Sequence, residues 1–488
     1  MRRIRNYWMT ACIGASLYSG GSAVAAPPAA SLPSTPEGFE TGGVAGQGGP
    51  FAFLGNIDRT NYLLGDMWGL RTLLSRYGMS LAVTETSEIL GNATGGIRRG
   101  AEYDGLTQMV LQLDTQRAFG WYGGTFNASA LDIHGRNLSA DNLGTLQTAS
   151  GIEADRALRL WELWYDQKFG EEARYDVKLG QQSLDQEFMV SQNASYFVNT
   201  MFGWPMLPSA DLPGGGPAYP LSAPGIRLRA RPFDEWTVLA GVFSGSPVAT
   251  NVPGDPQRQN PSGLSFPWNG TLAIAELQYS YPALGSNVTA AASEALARTY
   301  KIGIWYDTKR FADQEIDNSG LSLANPASSG IPLMHRGDWA IYAVMDQMIW
   351  QDAEETDKTL NVFLRPMGTP LTDRNLIDFS LNAGLTLHEP LPHRDDDTFA
   401  IGMGYAHVSH RVAALDQDTA FYTGAFTPIR SGETFVEATY QYQVTPWLML
   451  QPDFQYVFNP GAGIVNPTAP TRKVGDEAVL GLRTTIQF

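Results

Sequence analysis

The chain has a single cysteine, Cys12, and it falls within the first 25 residues. Those residues read as a secretory leader: Arg2, Arg3 and Arg5, an apolar stretch from Trp8 to Tyr18, and the cleavage signal Ala23-Val24-Ala25. Without the leader no thiol remains, which excludes disulfides, cysteine-based metal sites and thiol redox chemistry. Positive charge is also scarce: 33 basic residues face 49 acidic ones, and because the leader removes three arginines and no acid, the net charge goes from −16 to −19. So acidic a chain is not a nucleic-acid partner. Long apolar runs are missing too, since nothing after the leader approaches the roughly 18 consecutive apolar residues of a spanning helix. A membrane-spanning form of this chain is therefore a closed barrel, the other structure that pairs every backbone group in lipid.

Several chemical signatures are absent as well. Gly214-Gly215-Gly216 has no Walker lysine, no G-x-S-x-G elbow is present, and Asp395-Asp396-Asp397 lacks the spacing of a calcium loop. His407 and His410 stand three apart on an expected strand, so they point to opposite faces and share no metal. The residues predict no catalysis, no cofactor and no metal.

What is there is alternation. Residues 26–62 are a Gly- and Pro-rich lead-in, and 63–78, containing LLGDMWGLRTLLSRY, has the apolar spacing of a short amphipathic helix. From 79 to 488 the period changes to two, in sixteen segments of roughly 9 to 14 residues, the length of tilted membrane strands. Their links mostly alternate between short turns, such as Gly120-Trp121 and Val444-Thr445, and long loops, such as 183–223 and 410–431. The expected fold is all-β: an outer-membrane antiparallel barrel of sixteen strands with short turns on the periplasmic side, long loops outside, and one long loop folded into the lumen. The last segment puts Leu480, Leu482, Ile486 and Phe488 on one face and Arg483, Thr485 and Gln487 on the other. A strand ending on Phe488 is also the part expected to meet the barrel-assembly machinery.

Particular stretches resemble the carbohydrate-selective porin family, OprB type. They are WGLRTLLSRYGMSL at 68–81, GWYGGTFNASALDIHGRNLS at 120–139, LRLWELWYDQKF at 158–169, GQQSLDQEF at 180–188, FGWPMLPSADLPGGGPAYPLSAPGIRLRARP at 202–232 and QPDFQYVFNPG at 451–461. The resemblance implies passive diffusion of monosaccharides and related small polar solutes across the outer membrane of a Gram-negative bacterium, among lipid and lipopolysaccharide. Monomer and homotrimer are both open, because subunit contacts would use the same apolar outer face as lipid. Two other readings stand beside it: a general porin without sugar preference, and a membrane-embedded or secreted carbohydrate hydrolase, which needs two carboxylates ~5 to 9.5 Å apart.

A sugar-selective opening requires charged, amide and aromatic side chains in the lumen. On the fourth strand Trp161, Leu163, Tyr165 and Phe169 form the expected lipid face, which turns Glu162, Trp164, Asp166 and Lys168 inward. On the fifth, Lys178 and Gln182 point inward; on the sixth, Arg227, Arg229 and Arg231 form an inward basic ladder. The loop between them adds Asp185, Glu187, Phe188 and Trp204 as candidates for the constriction. An acidic, aromatic loop facing an arginine ladder sets a transverse field that orients polar solutes. Arginines inside barrels also serve simply to pair with acidic wall residues. The WELW, GQQSLDQEF and GIRLR matches carry the family's wall and constriction positions, and Gln167-Lys168 departs from them by placing a cation where a neutral or acidic residue is expected.

Overall fold

A computed structural model describes residues 61–488 apart from 171, 250–254, 283–295 and 356. The expected leader and nearly all of the lead-in lie outside the described residues. The strands are β1 Met79–Gly96, β2 Gly100–Asp114, β3 Gly124–Gly135, β4 Ala157–Phe169, β5 Tyr175–Gln182, β6 Ala223–Phe233, β7 Trp236–Ser244, β8 Thr271–Tyr281 and β9 Arg298–Asp317. They continue with β10 Pro332–Gln351, β11 Thr359–Gly368, β12 Ile377–His388, β13 Thr398–Val408, β14 Gly432–Thr445, β15 Leu448–Phe458, β16 Val465–Asn466, β17 Ala469–Lys473 and β18 Gly475–Gln487. β1 to β15 and β18 pair antiparallel, each with its neighbour, and β1 meets β18 to close the ring. β16 and β17 form a separate hairpin within the last outer loop.

Alternation places the outer face as expected: Ile226, Leu228, Ile302, Ile304, Leu480 and Leu482 are exposed, as a lipid-facing band requires. β9 and β10 run 20 residues each, far longer than the ~9–11 needed to span, so this hairpin projects beyond the membrane on the long-loop side.

The inner face is not uniformly polar. Leu239, Phe243, Ile274, Trp305, Phe363 and Phe435 point inward and are buried against Phe188, Phe197, Met201, Phe202 and Trp204 of the loop between β5 and β6. Roughly one side of the lumen is thus an apolar core between wall and loop. The cue is the nearly continuous apolar run of Val238 to Phe243, which a strand needs when it meets lipid on one face and an apolar core on the other.

One expected face is corrected. The β3–β4 register shifts between Ser129 and Ala130, where Ser129 pairs with Glu162 but Ala130 pairs with Leu160. The extra residue, Trp161, is turned inside rather than to lipid, only 1% exposed, and packs edge-on to Tyr219 at 6.1 Å.

The expected helix over 63–78 is shorter, Leu70–Arg76. Met67, Trp68 and Gly69 have positive φ, which ends helical continuation on the N-terminal side. The segment lies at the short-turn rim, across the seam where β1 meets β18. Leu63 N–H donates to the Gln487 carbonyl (2.8 Å), and the buried Arg71 donates to the oxygens of Gly65 and Phe488 while lying 4.0 Å from the Tyr62 ring centroid.

Candidate pore constriction

Two rows of ionisable side chains cross the inner wall formed by β4, β5 and β6. In one, Asp166 is in register with Lys178 and Lys178 with Arg227; in the next, Lys168 is in register with Asp176 and Asp176 with Arg229. The rows make a chequerboard in which each cation adjoins a carboxylate. Asp176 pairs with both Arg227 and Arg229, the latter at 2.5 Å, and Asp166 lies 3.7 Å from Arg227. Trp164 stands one step along β4, opposite Gly180, whose φ of 131° and missing side chain let β5 approach closely; a Cβ there would lie 2.3 Å from the Leu163 carbonyl. The Lys178 ammonium sits over the Trp164 ring, 4.1 Å from its centroid.

The loop between β5 and β6 completes the cluster. Glu187 pairs with Lys178 and with Arg227, the latter at 2.5 Å. The acid expected to face the arginine ladder across a gap is therefore in contact with it.

The loop is held by the wall through its main chain. Glu162 of β4 accepts from Ser183 N–H (3.0 Å), Glu276 of β8 from Met189 N–H (2.8 Å), and Asp346 of β10 from Gln192 and Asn193 N–H (3.2 Å each). Glu437 of β14 accepts from Val198 (2.6 Å) and Asn199 (3.0 Å). From β11, the fully buried Arg365 donates to the carbonyls of Met189 (2.8 Å), Met201 (2.6 Å), Phe202 (2.8 Å) and Gly203 (3.0 Å). Each of these charges is satisfied by peptide groups, which offsets the cost of taking it out of water. The loop after β3 is pinned likewise: Glu433 accepts from Leu146 (2.8 Å) and Gln147 (2.7 Å).

Beside the chequerboard lies a cavity of about 350 Å³ lined by Arg227, Arg229, Arg231, Lys301, Gln192 and Gln278 among others. A second, of about 500 Å³, shares Gln186, Val190 and Gln192 with it and is lined further by amides and aromatics such as Gln441, Gln443, Tyr196, Phe202 and Trp447, and by the ionisable Asp185 and Arg483.

Of the side chains singled out from sequence, Trp164, Lys178, Glu187, Arg227 and Arg229 come together in one cluster, and Arg231 lines the adjoining cavity. Glu162 and Gln182 are buried supports: the first holds the loop, and the second ties β5 to the Gly225 carbonyl (3.0 Å). Asp185 knots the loop internally, accepting from Ser183 Oγ (2.6 Å) and Tyr219 N–H (2.9 Å), and burial pushes its carboxyl up to about 6. Phe188 and Trp204, expected at the constriction, are instead packed in the apolar core, each 1% exposed, because the loop needs its own hydrophobic side to seat on the wall. Arg365, Asp346 and Glu437 were not anticipated. Their one sequence cue is being charged at inward positions of strands.

The family model described as "Carbohydrate-selective porin, OprB family" matches residues 98–488. Porin B of Pseudomonas aeruginosa is 23% identical over 430 residues, covering 82% of this chain and 87% of that protein. A putative porin, QuiX, of Acinetobacter baylyi is 23% identical over 451 residues, covering 88% and 93%. Among solved structures, the high-pH structure of Pseudomonas putida OprB matches with a TM-score of 0.75 at 22% identity, covering 88% of this chain and 99% of that one.

Proposed function

Because this chain belongs to the carbohydrate-selective porin family, OprB, it is a sugar-selective porin of the Gram-negative outer membrane, and we propose that the chequerboard on β4, β5 and β6 is where a monosaccharide is read. The observation that carries this reading is the cluster of Trp164, Lys178, Glu187 and Arg227, of which Glu187 and Arg227 line a cavity narrowed by the infolded loop. An indole face takes the apolar C–H side of a pyranose, while paired cations and carboxylates offer donors and acceptors to its hydroxyls. Charges already paired with one another cost little further desolvation when the sugar replaces water. Arg231 extends the surface, and Glu162, Gln182 and Asp185 hold it in place. Phe188 and Trp204 act by seating the loop rather than by touching solute. The chain works as a channel and carries out no chemistry on the sugar.

Proteoliposome swelling with glucose, a disaccharide and a small amino acid tests the reading. Glucose passes fastest in the native protein, and Trp164→Ala lowers the glucose preference about fivefold, as expected for about 1 kcal/mol of ring contact. Equal rates for all three solutes would leave a general porin. No swelling at all would reject a pore.

A further inference from the structure

The cavity beside the chequerboard has an electrical character that a neutral sugar does not need. Four cations, Arg227, Arg229, Arg231 and Lys301, line it against one carboxylate, Glu187, in a chain whose net charge is −16. Glu187 is already shared between Lys178 and Arg227, and Asp176 between Arg227 and Arg229. Lys301 donates to the Val190 carbonyl (2.6 Å) and has no carboxylate within ion-pair distance among the described residues. An ammonium held by one neutral carbonyl retains two further donors directed at whatever occupies the cavity. The neighbouring groups are amides and hydroxyls, Gln278 being one. They suit a polyhydroxylated solute better than a bare inorganic ion. The amide- and aromatic-lined cavity across the Gln186 to Gln192 stretch has one lining cation, Arg483, and that one is paired with Glu88.

We infer that this compartment admits anionic sugar derivatives, polyhydroxy monocarboxylates of hexose size, with Lys301 and Arg229 taking the carboxylate and the surrounding amides the hydroxyls. The inference rests on the sugar-porin reading and extends its substrate class. Lys301 is a specificity-determining residue in this scheme: charge-assisted hydrogen bonds of this kind discriminate a carboxylate from a hydroxymethyl group where neutral ones do not.

The experiment is the flux of radiolabelled gluconate and glucose into proteoliposomes of the full chain, with the membrane potential clamped by potassium and valinomycin. The native protein passes gluconate at a rate equal to or above that of glucose. Lys301→Gln, which keeps a donor for the Val190 carbonyl, lowers the gluconate-to-glucose ratio about tenfold, the loss of one charged hydrogen bond; Lys301→Arg restores it. A gel mobility that changes on heating confirms that each variant is a folded barrel. Glucose flux with gluconate below a tenth of it, or a ratio unmoved in Lys301→Gln, overturns the proposal and leaves the neutral-sugar porin standing. Absence of flux for both solutes overturns the porin reading and the proposal together.

Discussion

Arg365→Met tests whether the infolded loop is a fixed part of the pore. The guanidinium is buried and donates to four loop carbonyls, those of Met189, Met201, Phe202 and Gly203. Methionine has similar length and no donor, so the substitution strands those carbonyls without opening a large hole. A buried acceptor left without a partner costs at least about 1 kcal/mol, so four cost about 4 kcal/mol. At 1.4 kcal/mol per decade this raises the undocked fraction of the loop about a thousandfold. The barrel ladders are untouched, so the loss is local. Single-channel recording in planar bilayers is the assay: the variant shows excess open-channel current noise and brief steps to higher conductance, and the liposomes become permeable to a disaccharide. A variant that folds, by its gel mobility, yet has native noise and still excludes the disaccharide would refute the idea that these bonds hold the aperture.

Glu187→Gln removes the acid shared by Lys178 and Arg227 and leaves the cavity more cationic; the reversal potential in a potassium chloride gradient then moves toward chloride by about fivefold in permeability ratio, roughly 1 kcal/mol, and a shift toward potassium contradicts the assignment. Burial raises the Asp185 carboxyl to about 6 in the folded loop. Its contribution to loop docking is therefore complete below the ordinary carboxyl range near 4 and lost as pH rises through about 6, a change of roughly 3 kcal/mol. Hydrogen exchange in residues 183–192, corrected for intrinsic rates, is slower at pH 5 than at pH 7.5, and Asp185→Asn abolishes the difference; equal protection at both pH values would count against it. Arg71→Met releases the oxygens of Gly65 and Phe488. It lowers the temperature at which the barrel converts to its unfolded gel form, whereas an unchanged transition would mean the seam is held by the β1–β18 ladder alone.

Much of the wall was legible because a period of two is a local property. β7 and β8 run over 236–244 and 271–281, and these bounds can be read from the turn residues that flank them. The inward placement of Lys178, Arg227 and Arg229 follows from the same alternation. Register between strands is not local, so the rows that bring Asp176 to both Arg227 and Arg229 are invisible in one segment at a time. The bulge at Ser129 and Ala130 is a defect of pairing, and it alone turns Trp161 from lipid to core. The same limit applies to the loop. Its length and its acids announce a constriction, but whether Phe188 and Trp204 face water or wall depends on apolar inward residues of β7 and β8 that lie tens of positions further along the chain.

The wall grips the loop by peptide N–H and C=O groups, which every residue type except proline supplies in full. The apolar side chains Phe188 and Trp204 seat the loop on the wall, but its polar anchoring falls largely on the main chain. Glu187, at the aperture, can be exchanged without dismantling the mount, much as a tool bit is changed in a fixed chuck. A scaffold of this kind lets solute preference drift rapidly among descendants of one barrel while aperture and stability stay constant. Charged inward residues such as Arg365, Asp346 and Glu437 are, on this argument, the positions where drift is least tolerated.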